Sequence, residues 1–578
     1  MSSSLPNLRF LRPYLHADLP AVRSAAYARF SSSKTKPPGE EVLLSPHKPV
    51  GGYPARKPEA HSKGDVQDRM RELKAACALD WPRVRSDPSA LTVREFANRY
   101  KEMRTAEKRE GEFVTLRGRV SGFRVASKSL VFVDVVQDGK QVQIMLDGGR
   151  MAGLGASNEK LFKKFYHLLR RGDIISVFGN PYVTKKGELS VNAWDIPEIL
   201  SPSLASLPRT LDDRETRVRN RHVDMLVNNP VVETLRLRSH IIQSIRSFLL
   251  ADSFLEVQTP LIADKAGGAI AKPFTTVATE FSDKTLALRI APEIWLKRLV
   301  IGGMDRVFEI GPAFRNEGLD ATHNPEFTTC EFYKAFADLE QLMSMTEAML
   351  SGIATQVSSL ISTTLTSLPV MDTAAFHQPF ARIPFIPAIE AGLGEKLPDL
   401  SSPSAEKDTI ALFKAHDIPL PLSPTLPRLL DKLSSIYIEP RCTLPTFITH
   451  HPSCMAPLSK SFRCSQTSQA VSARAELFIQ NREVANMYEE ENSPLAQREK
   501  FVQQLQWRDD ENCASVDESY LEALEWALPP TGGWGAGVDR LVMLFAGRER
   551  ISDVLAFGSL RNVVNLGSGW REKEVERP

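Results

Sequence analysis

The sequence predicts an α+β protein in which a small β-barrel precedes a larger domain built on a mainly antiparallel sheet. Three observations predict it. Residues 111–202 hold five strand-like segments with one helix between the third and fourth. Beyond them strands and helices follow one another in no repeating strand–helix–strand order, which argues against a parallel sheet. At 578 residues, 42% hydrophobic and 25% charged, the chain has material for two or three domains with a large core.

The N-terminal region is set apart by charge. Residues 1–36 carry Arg9, Arg12, Arg23, Arg29, Lys34 and Lys36 against one acid, Asp18, among many serines and alanines. That profile is expected of a mitochondrial transit peptide, and the expected destination is the mitochondrial matrix. Removing it takes away six positive charges and one negative, so the formal charge falls from +2 to −3. A nucleic-acid partner must then be met by local basic surface. Residues 37–110 are expected to be a Pro- and Gly-rich linker (37–64) followed by a helical extension, with a mixed-charge helix over 92–110. No window approaches the roughly eighteen uncharged apolar residues of a membrane helix, and no membrane partner is expected. The six cysteines form no CxxC pair and no His-spaced cluster, the pattern of neither a zinc site nor a disulfide framework.

The barrel strands are VTLRGRVSGFRV (114–125), SLVFVDVVQ (129–137), KQVQIMLD (140–147), DIISVFGNPYVT and ELSVNAWDIPEIL, with a turn at Asp138-Gly139 and a helix over 158–172. This is the layout of an OB-fold, a barrel that often binds oligonucleotides. The larger domain, 203–578, opens on a basic connector (201–222). A helix over 232–250 follows, with Leu235, Ile242, Ile245 and Leu249 on one stripe, and leads into a strand stopped by Pro260. Residues 352–440 are rich in Ser, Leu and Pro and carry no assignable chemistry.

Three segments concentrate reactive side chains. RVFEIGPAFR and FTTCEFYKAF read as strands around the polar loop NEGLDATHNPE. Alternation puts Phe327, Glu331 and Tyr333 on one face of the second strand, and Glu309 with Arg315 on one face of the first. An arginine at one lip and an aromatic at the other can cover a flat anionic ligand, although an exposed hairpin with routine ion pairs fits the segment equally. In GWGAGVDRLVMLF (533–545), glycines allow close approach and Arg540 heads an apolar helix. ELFIQNREV (476–484) reads as a hairpin turning at Gln480-Asn481, pairing Ile479 with Arg482 and Phe478 with Glu483. Glu476 and Glu483 then converge as a carboxylate pair suited to Mg²⁺.

The Pro260 unit, FRNEG…HNPEF with CEFYKAF, and GAGVDRLVMLF occur in the order of motifs 1, 2 and 3 of class II aminoacyl-tRNA synthetases, which the chain resembles. RVRNRHVDML, GGAIAKPF, LRIAPEIWLKRLVIGGMDRVFEI, PTFITHHPSCMAPLSK and LPPTGGWGAGVDR resemble the lysyl-tRNA synthetases in particular. The resemblance covers roughly residues 92–556 and implies a ligase that uses ATP, Mg²⁺, lysine and tRNA(Lys), as a homodimer formed through the unit ending at Pro260.

By the resemblance, Arg315 bridges the ATP α-phosphate and the substrate carboxylate. Glu317 receives the adenine amino group, Phe327 and Arg540 sandwich the ring, His323 lies near the outer phosphates, and Glu476 and Glu483 hold Mg²⁺. Arg315 and Arg540 are the catalytic pair. The amino-acid pocket falls on Glu293, Glu331 and Glu490 with Tyr333, Asn486 and Arg315. Glu490 and Tyr333 take the side-chain ammonium, and Glu293 with Gly267 or Gly268 takes the α-ammonium. Acids in this number suit lysine over the aspartate or asparagine of sister enzymes, although a solvated acidic run is the plainer reading of 489–491. Arg124, Phe132 and Gln143 fall where the family reads the middle anticodon base, and Phe132 fits a barrel-core position as well. Two departures stand out. Met487 and Tyr488 replace the usual Gly and Phe, so the pocket wall is expected to change. Asn486 and Glu483 have opposite strand parity, so a bulge or bend between them is expected.

Overall fold

A computed structural model describes residues 63–152, 156–265, 267–268, 271–505 and 516–564. The basic segment 1–36 and the linker up to residue 62 lie outside the described residues.

The barrel closes on itself. Its strands are β1 (Val114–Ser127), β2 (Leu130–Gln137), β3 (Lys140–Asp147), β4 (Ile174–Val183) and β5 (Leu189–Ala193), in the order β1-β2-β3-β5-β4 with β1 pairing back to β4. Inward residues are β-branched and fully buried, among them Val131, Val133, Val135, Ile144 and Val177. The segment expected as one fifth strand is two. Trp194–Pro197 breaks it, since Pro197 has no N–H to give, and β6 (Glu198–Ser201) pairs with the start of β4. The helix expected over 92–110 spans only Val93–Arg99, opened by a capping box between Thr92 and Glu95. It ends where Tyr100 turns inward and its hydroxyl donates to Glu112 Oε2 at 2.9 Å. Upstream, helix α1 (Lys63–Ala75) is bolted to the barrel by Arg69, which bonds Asp173 at 3.1 Å and the Leu168 carbonyl at 2.7 Å.

The larger domain is an eight-stranded sheet. Its strands are β7 (Leu255–Glu256), β8 (Arg306–Phe314), β9 (Glu326–Ala335), β10 (Ala381–Pro384), β11 (Thr446–Thr449), β12 (Arg474–Ile479), β13 (Arg482–Glu489) and β14 (Thr531–Gly537). They run β10-β11-β12-β13-β14-β9-β8-β7, antiparallel except for the parallel pair at each edge. One face of the sheet packs on helix α2 (Asn229–Ala251), helix α3 (Leu339–Thr363) and the helix that follows β14. The α2 stripe is Leu237, Ile241, Ile245 and Leu249, fully buried at helical spacing; Leu235 and Ile242 are only half-buried, so the expected stripe was rotated around the helix. Residues 352–440, unassigned from sequence, complete α3, supply edge strand β10 and build three helices around their own core of Phe385, Ile389, Phe413, Leu429 and Leu433. No described helix is long and apolar enough to cross a membrane.

Candidate active site

The opposite face of the sheet floors a cavity of about 530 Å³, walled by the loop between β8 and β9. β8 and β9 pair in the expected register, with Ala313 opposite Phe327 and Glu309 opposite Glu331. Phe327, Thr329, Glu331 and Tyr333 therefore line the cavity together, as alternation requires. Glu309 is spent on structure. Arg289 meets it at 2.6 Å and the Thr259 hydroxyl at 2.7 Å, which ties the segment before Pro260 to the sheet.

One end of the cavity is cationic. Arg315 follows β8, its guanidinium 5.1 Å from the centre of the Phe327 ring. Helix α5 (Val538–Phe545), which follows β14, presents Arg540 in its first turn. Arg540 Nη2 donates to His323 Nε2 at 2.9 Å, which leaves the ring proton on Nδ1, facing Asp320 Oδ2 at 2.7 Å. Its Nη1 donates to the Glu483 carbonyl at 3.0 Å. Glu317 is exposed on the loop at the rim of the same cavity. These residues are thus together, and Asp539, beside Arg540, anchors the arrangement by accepting from Thr328 N at 2.7 Å and pairing with Arg238.

The β12–β13 hairpin turns at Gln480-Asn481, both with positive φ, as the right-handed twist of a two-residue hairpin prefers. Phe478 pairs with Glu483 and Leu477 with Ala485, so Val484 is the extra residue of the expected bulge. Glu483 lines the cavity. Glu476 stands behind it, held by His451 Nε2 at 3.1 Å and by Arg474. Burial opposes ionisation of Glu476, yet Arg474 and His451 hold it down to about 2. Burial and the adjacent Glu476 push Glu483 above the usual carboxylate range. Behind them, burial together with Asp431, Glu476 and Glu483 pushes Glu439 up to about 7. Glu476 is already met by Arg474 and His451, so Glu483, which faces the cavity beside Arg540, is the carboxylate best placed to meet a hard divalent ion. Among the described residues no three ligating groups form a self-sufficient metal cage. Mg²⁺ needs none, because it takes one or two carboxylates plus phosphate oxygens and water.

The other end is anionic. Glu331 accepts from the Tyr333 hydroxyl at 3.3 Å, and burial, then Glu293, push it up to about 8 against the pull of Arg315. Glu293 opens helix α4 (Glu293–Ile301), which precedes β8 in sequence and packs on β8 and β9; it accepts from the Tyr488 hydroxyl at 3.1 Å. Gly267 and Gly268 line the same end, and Gly268 has φ +94, where a Cβ would press on Glu293. Asn486 lines the cavity and accepts from Arg474 Nε at 3.1 Å. Glu490 is buried just behind the wall formed by Tyr333 and Gly533; a Cβ on Gly533 would collide with its carboxylate. The expectation that Met487 alters the wall is not met. Its side chain points to the opposite face, into the core against Thr346, while Tyr488 does face the pocket.

Sequence reasoning missed Arg474, His451, Gly533 and Lys297. Arg474 stands two residues before Glu476 on one strand, and Lys297 four after Glu293 on one helix, so spacing alone could have found both. On the barrel, Arg124 and Phe132 are direct partners, the guanidinium 4.7 Å from the ring centre. Phe132 alternates with buried Val131 and Val133 and so lies on the outer face, which removes the barrel-core reading. Gln143 lies on that face too, but its amide already donates to Glu188 Oε2 at 3.0 Å.

Comparison with known proteins agrees with this geometry. The family model for tRNA synthetases class II (D, K and N) matches residues 213–561, and that for the OB-fold nucleic acid binding domain matches 114–199. The mitochondrial lysine–tRNA ligase of Schizosaccharomyces pombe is 40% identical over 509 residues, covering 86% of this chain and 94% of its own length. A probable cytoplasmic lysine–tRNA ligase of Encephalitozoon cuniculi is 40% identical over 462 residues, covering 77% and 86%. The mitochondrial lysine–tRNA ligase of Saccharomyces cerevisiae is 35% identical over 486 residues, covering 78% and 82%. A cavity cationic at one end and carboxylate-lined at the other, on a sheet matched over this length, places the chain in the class II tRNA synthetases, in the branch of the lysine–tRNA ligases.

Proposed function

We propose that this protein activates lysine with ATP and transfers it to the terminal adenosine of tRNA(Lys). The observation that carries the reading is the division of one cavity between Arg315 and Arg540 at one end and Glu293 and Glu331 at the other, with Glu490 buried just behind that wall. ATP and lysine carry opposite charge where they must lie side by side, and the cavity has the matching polarity.

In the first step a carboxylate oxygen of lysine attacks the α-phosphorus, and pyrophosphate leaves. No protein nucleophile takes part, so the chain contributes positioning and electrostatic stabilisation. Arg315 draws the α-phosphate and the carboxylate together. Phe327 and Arg540 clasp adenine, Glu317 takes its amino group, and His323, its tautomer set by Asp320, faces the outer phosphates. Glu476 and Glu483 would hold Mg²⁺, which would supply positive charge to the phosphates. Glu293 and Gly268 receive the α-ammonium, and Tyr333 and Glu490 the side-chain ammonium. In the second step a hydroxyl of the terminal adenosine attacks the activated carbonyl, and AMP leaves. Arg124 and Phe132 offer a cationic, stacking surface for an anticodon base.

Charging of a tRNA(Lys) transcript with labelled lysine tests the reading. Arg315→Ala should lower the rate about 100-fold or more, the scale of losing one charge-stabilising group; a fully active variant contradicts the assignment. The place of action is the mitochondrial matrix, on the composition of residues 1–36 and the mitochondrial relatives. The working form is a homodimer joined beside Pro260, where Leu255, Leu261 and Ile262 are exposed. Light scattering should give a mass of two chains; an active single-chain mass contradicts this.

A further inference from the structure

Lys297 stands one turn after Glu293 on α4 and is 0% exposed. It does not line the cavity. A buried ammonium is costly unless fully paired, and this one is paired twice. Its Nζ lies 2.6 Å from Glu293 Oε1 and forms an ion pair with Glu490 on the far side. The rings of Tyr333, Tyr488 and Tyr520 surround it with centres 5.9, 5.9 and 5.7 Å away. Glu331 adds a further negative charge beside Glu490. Lys297 therefore spans, from behind the wall, the two carboxylates that receive the two ammonium groups of the substrate.

We infer that Lys297 is a positioning residue for the amino acid: its fixed ammonium ties Glu293 to Glu490 and offsets one of the three carboxylates Glu293, Glu331 and Glu490, leaving two negative charges for the two ammonium groups of lysine. The inference rests on the lysine-pocket reading above. Without Lys297, three buried carboxylates meet a ligand with two ammonium groups. One of them must then take a proton or swing away, and Glu490, at 1% exposure, has no water to turn to. An amino acid with one ammonium leaves a buried negative charge unmet, so the same lysine that aligns the pocket also sets its charge count.

The test is a double-mutant cycle on ATP–pyrophosphate exchange by the full chain, with Lys297→Met, Glu490→Gln and both together. Lys297→Met should raise the lysine KM about 30-fold or more and leave the ATP KM within about twofold, with Lys297→Arg partly restoring it. In the Glu490→Gln background the same change should add less than about threefold, because Lys297 acts through that carboxylate. Additive effects, or an unchanged lysine KM in Lys297→Met, overturn the inference. If Lys297→Met alone does not fold, the double variant, in which only Glu293 loses its ammonium partner while keeping the Tyr488 hydroxyl at 3.1 Å, still decides. A lysine KM far above that of Glu490→Gln overturns the inference, and one close to it supports it. A wild-type lysine KM in Glu490→Gln overturns the pocket reading itself.

Discussion

Carboxylates crowded into a dry pocket repel one another until a cation arrives, and Glu331 records that tension most directly. Burial first, then Glu293, push it from an ordinary 4.5 to about 8. Below that pH the empty pocket holds Glu331 protonated, whereas a pocket filled by an ammonium ligand favours the ionised form. Lysine binding at pH 7 should therefore release a proton, and lysine affinity should rise with pH and level off near 8. Calorimetry in HEPES and in Tris reads this as an apparent enthalpy that depends on the buffer; identical enthalpies contradict it. The same shift acts on stability with a definite sign. The folded chain keeps a proton that the unfolded chain has lost, so between about 4.5 and 8 the contribution of Glu331 falls as pH rises.

At the scale of the element, strand alternation carries most of the site. β8 and β9 place Phe327, Glu331 and Tyr333 on one face as read from sequence, and the expected bulge is present at Val484. The same rule applied one residue further would have sent Met487 away from the pocket, because it adjoins cavity-lining Asn486. The helix stripe on α2 was misplaced because Leu235, Leu237, Ile241 and Ile242 offer two apolar arcs, and only tertiary packing chooses between them. Nothing local marked Arg69 as a core residue: its partner Asp173 is 104 positions away in a segment that reads as a turn. Both side chains are 0% exposed. Arg69→Ala leaves Asp173 buried and unpaired and should destabilise the α1–barrel unit by about 3–5 kcal/mol. Differential scanning fluorimetry should show a lowered midpoint, recovered in part by Arg69→Met with Asp173→Asn, which removes the buried charge and keeps an acceptor for the Arg170 and Ser203 amides. An unchanged midpoint in Arg69→Ala contradicts the bolt.

At the scale of the molecule, charge is distributed rather than massed. Residues beyond the first 36 carry a formal charge of −3, so attraction to a polyanion must come from local features such as Arg124 on the barrel and Arg315 and Arg540 in the cavity. The barrel meets the larger domain partly through its Asp138-Gly139 turn, where Arg236 reaches Asp138 at 2.6 Å. Asp138 is largely exposed, so the pair orients more than it stabilises. The two matched domains thus put an outward-facing Arg124–Phe132 pair and a charge-divided cavity in one chain.

Amino-acid-dependent ATP–pyrophosphate exchange, run with Mg²⁺ for each of the twenty amino acids separately, tests the central claim most directly. The account predicts exchange with lysine alone. Exchange with aspartate or asparagine in place of lysine would contradict the carboxylate pocket, and exchange with none of the twenty would contradict the ligase reading as a whole.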